Sequence, residues 1–334
     1  MSRRGGALGL ALLAVISLAA LVLAVSVGAS PLGFKDLLSI VAGGGDASSR
    51  AILLDVRLAR VLLAATVGAA LAAAGSAYQA VLRNPLADPF ILGVSGGAAL
   101  GATVFVAVSP AAAIGSPIGR PLAAFAGATA TLVVLFGLAR FRGRTATTAL
   151  LLTGVVLNAF DSAIIQFFVT AGDPARFQGT LAYLMGAMAS PPWGALASVA
   201  LLTAIGIGIL AAGAHTLNLL SLGAEEAAQL GVAVERTTWV MVLAASLVTA
   251  AAVAFTGIVG FVGLIVPHAM RAAFGPDHRV LLPACVLAGA ATVALADAAA
   301  RTLAAPVELP VGVITAVIGG PFFLTLLLRR LRVS

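Results

Sequence analysis

Residues 61–81 read VLLAATVGAALAAAGSAYQAV, 21 residues without a charged side chain. A helix of that length rises about 30 Å, enough to cross the hydrocarbon core of a bilayer. The stretch lacks the apolar–polar alternation of a membrane β-strand. Alanine dominates it, and Gly68 and Gly75 suit the close backbone approach of packed membrane helices. Outward from it, Arg57 and Arg60 precede the run and Arg83 follows, so charge brackets the apolar segment without entering it. The same pattern returns at 7–28, 121–139, 193–214 and 237–253.

The whole chain agrees with this local reading. Of 334 residues, 61% are hydrophobic and only 9% charged, with a mean hydropathy of +1.13. Water-soluble domains carry about 25% charged residues, so the fold class is all-α and polytopic in a membrane. Ten spans can be drawn, roughly 7–28, 61–82, 91–108, 119–139, 147–169, 193–213, 237–256, 258–272, 280–301 and 309–328. The eighth is short and glycine-rich, the length of a half-helix. Arg3 and Arg4 ahead of the first run resemble a signal-peptide start, but the run is long and many more follow, so it is read as a membrane helix. The chain is expected to form one transmembrane domain over 1–334, and a single cysteine, Cys285, excludes an intrachain disulfide.

The net charge of +7 is spread singly over span ends and forms no stripe able to track a phosphate backbone, so no nucleic-acid partner is expected. It reads instead as topology. With the N-terminus in the cytoplasm, Arg3, Arg4, Arg83, Arg140, Arg142, Arg144, Arg236, Arg271, Arg279, Arg329, Arg330 and Arg332 lie inside. Lys35, Arg50, Arg57, Arg60, Arg120, Arg176 and Arg301 lie outside. The split of 12 to 7 follows the positive-inside rule and leaves an excess of outer arginines to explain.

Two connections are long and polar. One, about 30–60, is outside. The other, 215–236, reads HTLNLLSLGAEEAAQLGVAVER and is inside. Within it Ala224 to Leu230 is helix-forming sequence between Gly223 and Gly231, with Glu225 and Glu226 in the first turn, where carboxylates complement the helix dipole. On residues alone, a connector and a docking element for a cytoplasmic partner both remain open.

Catalysis finds no constellation. A GxxxxGK[ST] phosphate loop is missing, and His215, His268 and His278 have no ligand partner at metal spacing, so neither an enzyme nor a bound metal or cofactor is expected. The informative polar residues lie inside spans. Asn158, Asp161 and Gln166 share the fifth, and a carboxylate at mid-helix costs roughly 2.5–3.5 kcal/mol on insertion, so Asp161 is expected to face protein or a watery path. Asp297 and Arg301 are four apart and can pair along one helix. Tyr183, Met185 and Met188 cluster near an outer gate and read as packing.

Several segments resemble one family. GAALAAAGSAYQAVLRNPLADPFILGVSGGAALG (68–101), GIVGFVGLIVPHAMR (257–271), GPDHR (275–279), Asp297, Arg301 and LPVGVITAVIGGPFFL (309–324) are similar, in order, to the hallmarks of FecCD-type permeases. These are the membrane subunits of ATP-binding-cassette importers for ferric siderophores, haem and vitamin B12. The resemblance implies a ten-helix type II importer permease in the bacterial inner membrane, with both termini cytoplasmic. It implies pairing with a second copy, two cytoplasmic ATPase subunits that use the ATP, and a periplasmic binding protein. It also makes 215–236 the ATPase coupling loop, through Leu222, Gly223, Ala224, Glu225, Glu226, Ala227, Leu230 and Gly231. Arg57 and Arg60 match an RxPR-like motif with Ala59 in the proline's place, and with Arg301 they are expected to meet acidic groups of the binding protein. The outer gate departs from the family: Tyr183-Leu184-Met185-Gly186-Ala187 stands where a tryptophan and a Gly-Ser pair are usual. The expected path is walled by the second, fifth and tenth spans. A proton- or ion-coupled secondary transporter with Asp161 as relay is the competing expectation.

Overall fold

The computed structural model describes residues 3–28, 33–109, 119–140 and 147–331, and among them every regular element is helical. Helices are the answer hydrocarbon imposes, because each backbone N–H and C=O must be satisfied within its own segment. In chain order they are α1 (Arg3–Ser26), α2 (Phe34–Val41), α3 (Ala47–Ala51) and, after a π-helical stretch (Ile52–Leu58), α4 (Ala59–Val81). A 3₁₀ turn (Pro89–Leu92) leads into α5 (Val94–Val108), followed by α6 (Gly119–Arg140), α7 (Thr147–Ala171), α8 (Pro174–Leu184) and α9 (Trp193–Ala212). The series closes with α10 (Ala214–Leu222), α11 (Ala224–Gln229), α12 (Val234–Thr256), α13 (Val262–Phe274), α14 (His278–Thr302) and α15 (Val311–Leu331). Among the described residues seven helices are long and apolar enough to cross a membrane, and three shorter apolar ones (94–108, 262–274, 311–325) occupy the third, eighth and tenth expected spans. The eighth is a half-length helix of 13 residues, entered through the non-helical segment 257–261.

The stretch 61–81 is the hub. It is buried along almost its whole length and packs against α14, α12, α13 and α9. Its small residues make this possible. A Cβ on Gly68 would run into the Gly289 carbonyl of α14, and one on Gly75 into the Gly263 carbonyl of α13. The α5–α6 contact repeats the device, with Gly101 against the Ala123 carbonyl and Gly127 against that of Gly97. Helix α1 lies on α14, where the Ser17 hydroxyl donates to the Leu287 carbonyl at 3.0 Å. Outward faces are apolar, as a lipid-facing surface requires: Leu152, Val156, Phe160 and Phe167 on α7, and Val313, Val317, Ile318 and Leu324 on α15.

One boundary differs from expectation. The second span does not start near 61. Helical structure is continuous from Ala47 to Val81, so Arg57 and Arg60 sit on a helix and not in a loop. Local hydropathy ends the span at its first charges, but Arg60 is neutralised by Asp297, 237 positions away, which a window cannot register. Arg142, Arg144 and Arg332 lie outside the described residues.

Candidate translocation pathway and its polar ends

Helix α7 carries Asn158, Ser162 and Gln166 at four-residue spacing, which stacks them on one face. That face lines a cavity of about 340 Å³. Opposite it stand Ser95, Gly96 and Ala99 of α5, with Phe90, Ile165, Leu184 and Ile258 completing the wall. The Asn158 amide donates to the Phe90 carbonyl at 2.6 Å, and the Gln166 amide to the Thr170 hydroxyl at 3.3 Å. Ser95 Oγ is buried without a hydrogen-bond partner. The lining is therefore neutral, with hydroxyls and amides among apolar groups. Asn158 and Gln166 both line this cavity. Asp161 sits beside the cavity and not on its wall: it is 4% exposed and its Oδ2 has no partner. Gly96 makes room for it, since a Cβ there would lie 3.1 Å from that oxygen and collide with Asn158 Oδ1. Ser95 and Ser162 were missed. Ser162 falls midway between Asn158 and Gln166 in the four-residue series, and that spacing was the available signal. Tyr183 and Met188 are buried packing residues, the tyrosine hydroxyl donating to the Val253 carbonyl at 2.6 Å, whereas Met185 is exposed.

At one end of the bundle the three arginines form an internal network. The sequence places Arg57, Arg60 and Arg301 at an outer surface, but all three are buried, at 4%, 8% and 4% exposure. Asp297, fully buried on α14, accepts from Arg60 Nε at 2.9 Å and from Arg301 Nε at 3.0 Å. Arg60 also reaches the half-exposed Glu308 at 2.8 Å. Arg301 donates to the carbonyls of Ala24 and Val27, and Arg57 to that of Val25, so the network clamps the last turn of α1. Burial follows from charge matching: a guanidinium leaves water only where a carboxylate and carbonyls replace it.

The opposite end is held by neutral and charged groups in turn. Arg271 of α13 donates to Gln79 Oε1 of α4 at 2.9 Å, and the Gln79 amide returns to the Gly263 carbonyl at 3.2 Å. Asp88 caps the 3₁₀ turn by accepting from Phe90 N at 3.0 Å, while its second oxygen is buried without a partner. Burial pushes this carboxyl up to about 6, against the opposing pull of the Phe90 N–H.

The 215–236 segment is helical on both sides of Gly223. Helix α10 buries Leu217 and Leu220, and α11 buries Ala227 alone. Leu222, Ala224, Glu225, Glu226, Leu230 and Gly231 are exposed, while Gly223 is buried in the corner. The φ values of +154° at Gly223 and +83° at Gly231 explain why glycine flanks this short helix on both sides. Among the described residues no group of three His, Cys, Asp or Glu could hold a metal ion.

Comparison with known proteins bears on this arrangement. A family model described as the FecCD transport family matches residues 14–329. The cobalamin import permease BtuC of Halobacterium salinarum is 44% identical over 85% of this chain and 75% of that protein. The haemin transport permease HmuU of Yersinia pestis is 41% identical over 84% of both chains. The Fe(3+) dicitrate transport permease FecD of Escherichia coli is 38% identical over 83% of this chain and 85% of that one. A solved structure described as a metal-chelate type ABC transporter in an inward-facing conformation superposes with a TM-score of 0.81 at 31% identity, over 98% of this chain and 99% of that one.

Proposed function

The chain belongs to the FecCD transport family, and on that premise we propose that it is the permease subunit of an ATP-binding-cassette importer. Its cargo is a metal chelate, a ferric siderophore, haem or cobalamin, carried into the cytoplasm by alternating access. The observation that carries the mechanism is the neutral cavity on α5 and α7. A path that coordinated its cargo tightly would trap it, and hydroxyls and amides among apolar groups bind weakly enough to release. At about 340 Å³ the cavity is at the small end of ligand sites. A second copy of the chain supplies the facing wall, and α15 joins α5 and α7 around the path.

Both termini lie in the cytoplasm of a cell bounded by this inner membrane. Leu222 to Gly231 then face a separate ATPase subunit, which hydrolyses the ATP, and the exposed Glu225 and Glu226 are the charged contacts. A binding protein docks at the arginine end. Arg60 is its most reachable guanidinium, because an incoming carboxylate has only to displace the half-exposed Glu308. Arg57 and Arg301 have to leave backbone carbonyls, and Arg301 also Asp297, before they can pair with an acidic group.

The orphan Oδ2 of Asp161 favours one second reading, a proton-coupled carrier with that carboxyl as relay. Uptake into proteoliposomes separates the two. The importer reading expects uptake of a metal chelate only with ATP and the ATPase subunit present, and none from a pH gradient across vesicles holding this chain alone. Gradient-driven uptake without ATPase overturns it.

A further inference from the structure

Asn218 occupies a position that the coupling loop itself does not explain. It lies on α10, one turn before the Gly223 corner, and its amide is used at both ends. Nδ2 donates to Asp277 Oδ1 at 2.6 Å; Oδ1 accepts from the His278 backbone N–H at 2.8 Å and lies 2.8 Å from His278 Nδ1. Asp277 is at the same time the cap of α14, accepting from Arg279 N at 3.0 Å. The Arg279 N–H and then the Asn218 amide hold the Asp277 carboxyl below the ordinary aspartate range, so the contact is charge-assisted at neutral pH. Among the described residues Asn218 supplies the side-chain hydrogen bonds that join 214–233 to the rest of the chain. The forward exit from the loop offers no comparable hold. Residues 230–233 between α11 and α12 are non-helical, and three of these four are exposed.

What Asn218 grips is the start of a rod. Helix α14 runs 25 residues from His278 to Thr302, packs along α4, and carries Asp297 and Arg301 near its far end. We infer that Asn218 is a positioning residue that transmits movement of the ATPase-facing loop to α14, and through it to the buried arginine network at the other end of the bundle. The inference rests on the reading of Leu222 to Gly231 as the ATPase seat. It adds the joint by which that seat acts on the membrane helices. A packed helix conveys a rigid-body shift, whereas the 230–233 link absorbs one.

The chemistry of the joint dictates its test. Asn218→Asp sets two carboxylates 2.6 Å apart in place of a donor and an acceptor. In the full transporter in proteoliposomes, Asn218→Asp is expected to lower uptake per ATP hydrolysed at least tenfold with co-purification of the ATPase unchanged. Should Asn218→Asp fail to assemble, Asn218→Ala, with no new charge, is expected to show the same loss. Uptake per ATP within twofold of the parent in Asn218→Asp or Asn218→Ala overturns the inference. A cross-link from position 226 to the ATPase in the parent separates the two layers. If the cross-link forms and the ratio does not change, the joint alone is refuted; if it does not form, the seat is refuted and the joint with it.

Discussion

Asp297 shows how much one carboxylate decides in this molecule. It is wholly buried and holds both Arg60 and Arg301, whereas Glu308, the second partner of Arg60, is half-exposed. Leaving guanidinia buried without their acid costs about 3–5 kcal/mol, against ~0–1 kcal/mol for an exposed pair. Asp297→Ala is therefore expected to lower the melting temperature in detergent markedly and Glu308→Ala hardly at all. Asp88 makes the opposite contribution. Its pKa is about 6 in the fold and near 3.9 in the unfolded chain, so the folded state binds more protons between those values. Stability then falls as pH rises from about 4 to 6, and the full cost persists above. Asp88→Asn, which keeps the oxygen facing Phe90 N, is expected to melt higher than the parent at pH 7.5, with the gap closing towards pH 4. Gly96 carries the functional test at this scale. Gly96→Leu projects a side chain into Asn158 and the cavity, and uptake is expected to drop at least tenfold while ATPase binding persists.

Among elements, α4 is the one whose packing leaves least freedom. Gly68→Val and Gly75→Val push side chains into the carbonyls of Gly289 and Gly263, and overpacking of this kind costs about 1–3 kcal/mol or more. Both are expected to lower yield and melting temperature, whereas Gly208→Ala on α9, which meets nothing within 4 Å, is expected to be neutral. Much of this layer was legible in the sequence. Apolar runs marked all ten apolar helices, including the half-length α13, because hydrocarbon leaves the backbone few alternatives. The glycine-flanked α11 was legible for the same kind of reason, since local propensity and stop residues act within a few positions. The fate of Arg57 and Arg60 was not. Their burial depends on Asp297, 237 residues beyond Arg60, and on carbonyls of α1, contacts that exist only once the helices are packed. Asn158 and Gln166 could be paired with a path from their spacing, but the cavity depends equally on Ser95 and Gly96 of α5, and helix-to-helix register is not written in either segment.

For the molecule as a whole, the proposed function makes the neutral groove between α5 and α7 one wall of a path that opens and closes with ATP. A water-filled path and a lipid-facing helix surface differ in what can reach them. Cysteine accessibility reads that difference directly, in a background where the buried Cys285 is replaced by alanine. Ser162→Cys faces the cavity, and Phe160→Cys, two residues earlier on the same helix, faces outward with the apolar surface. With the complete transporter in proteoliposomes, a charged, membrane-impermeant thiol reagent is expected to label position 162 at a rate that changes severalfold between ATP-bound and nucleotide-free states. Position 160 is expected to stay unlabelled in both. Labelling at 162 that is absent or indifferent to ATP, or equal labelling at 160, would contradict the account.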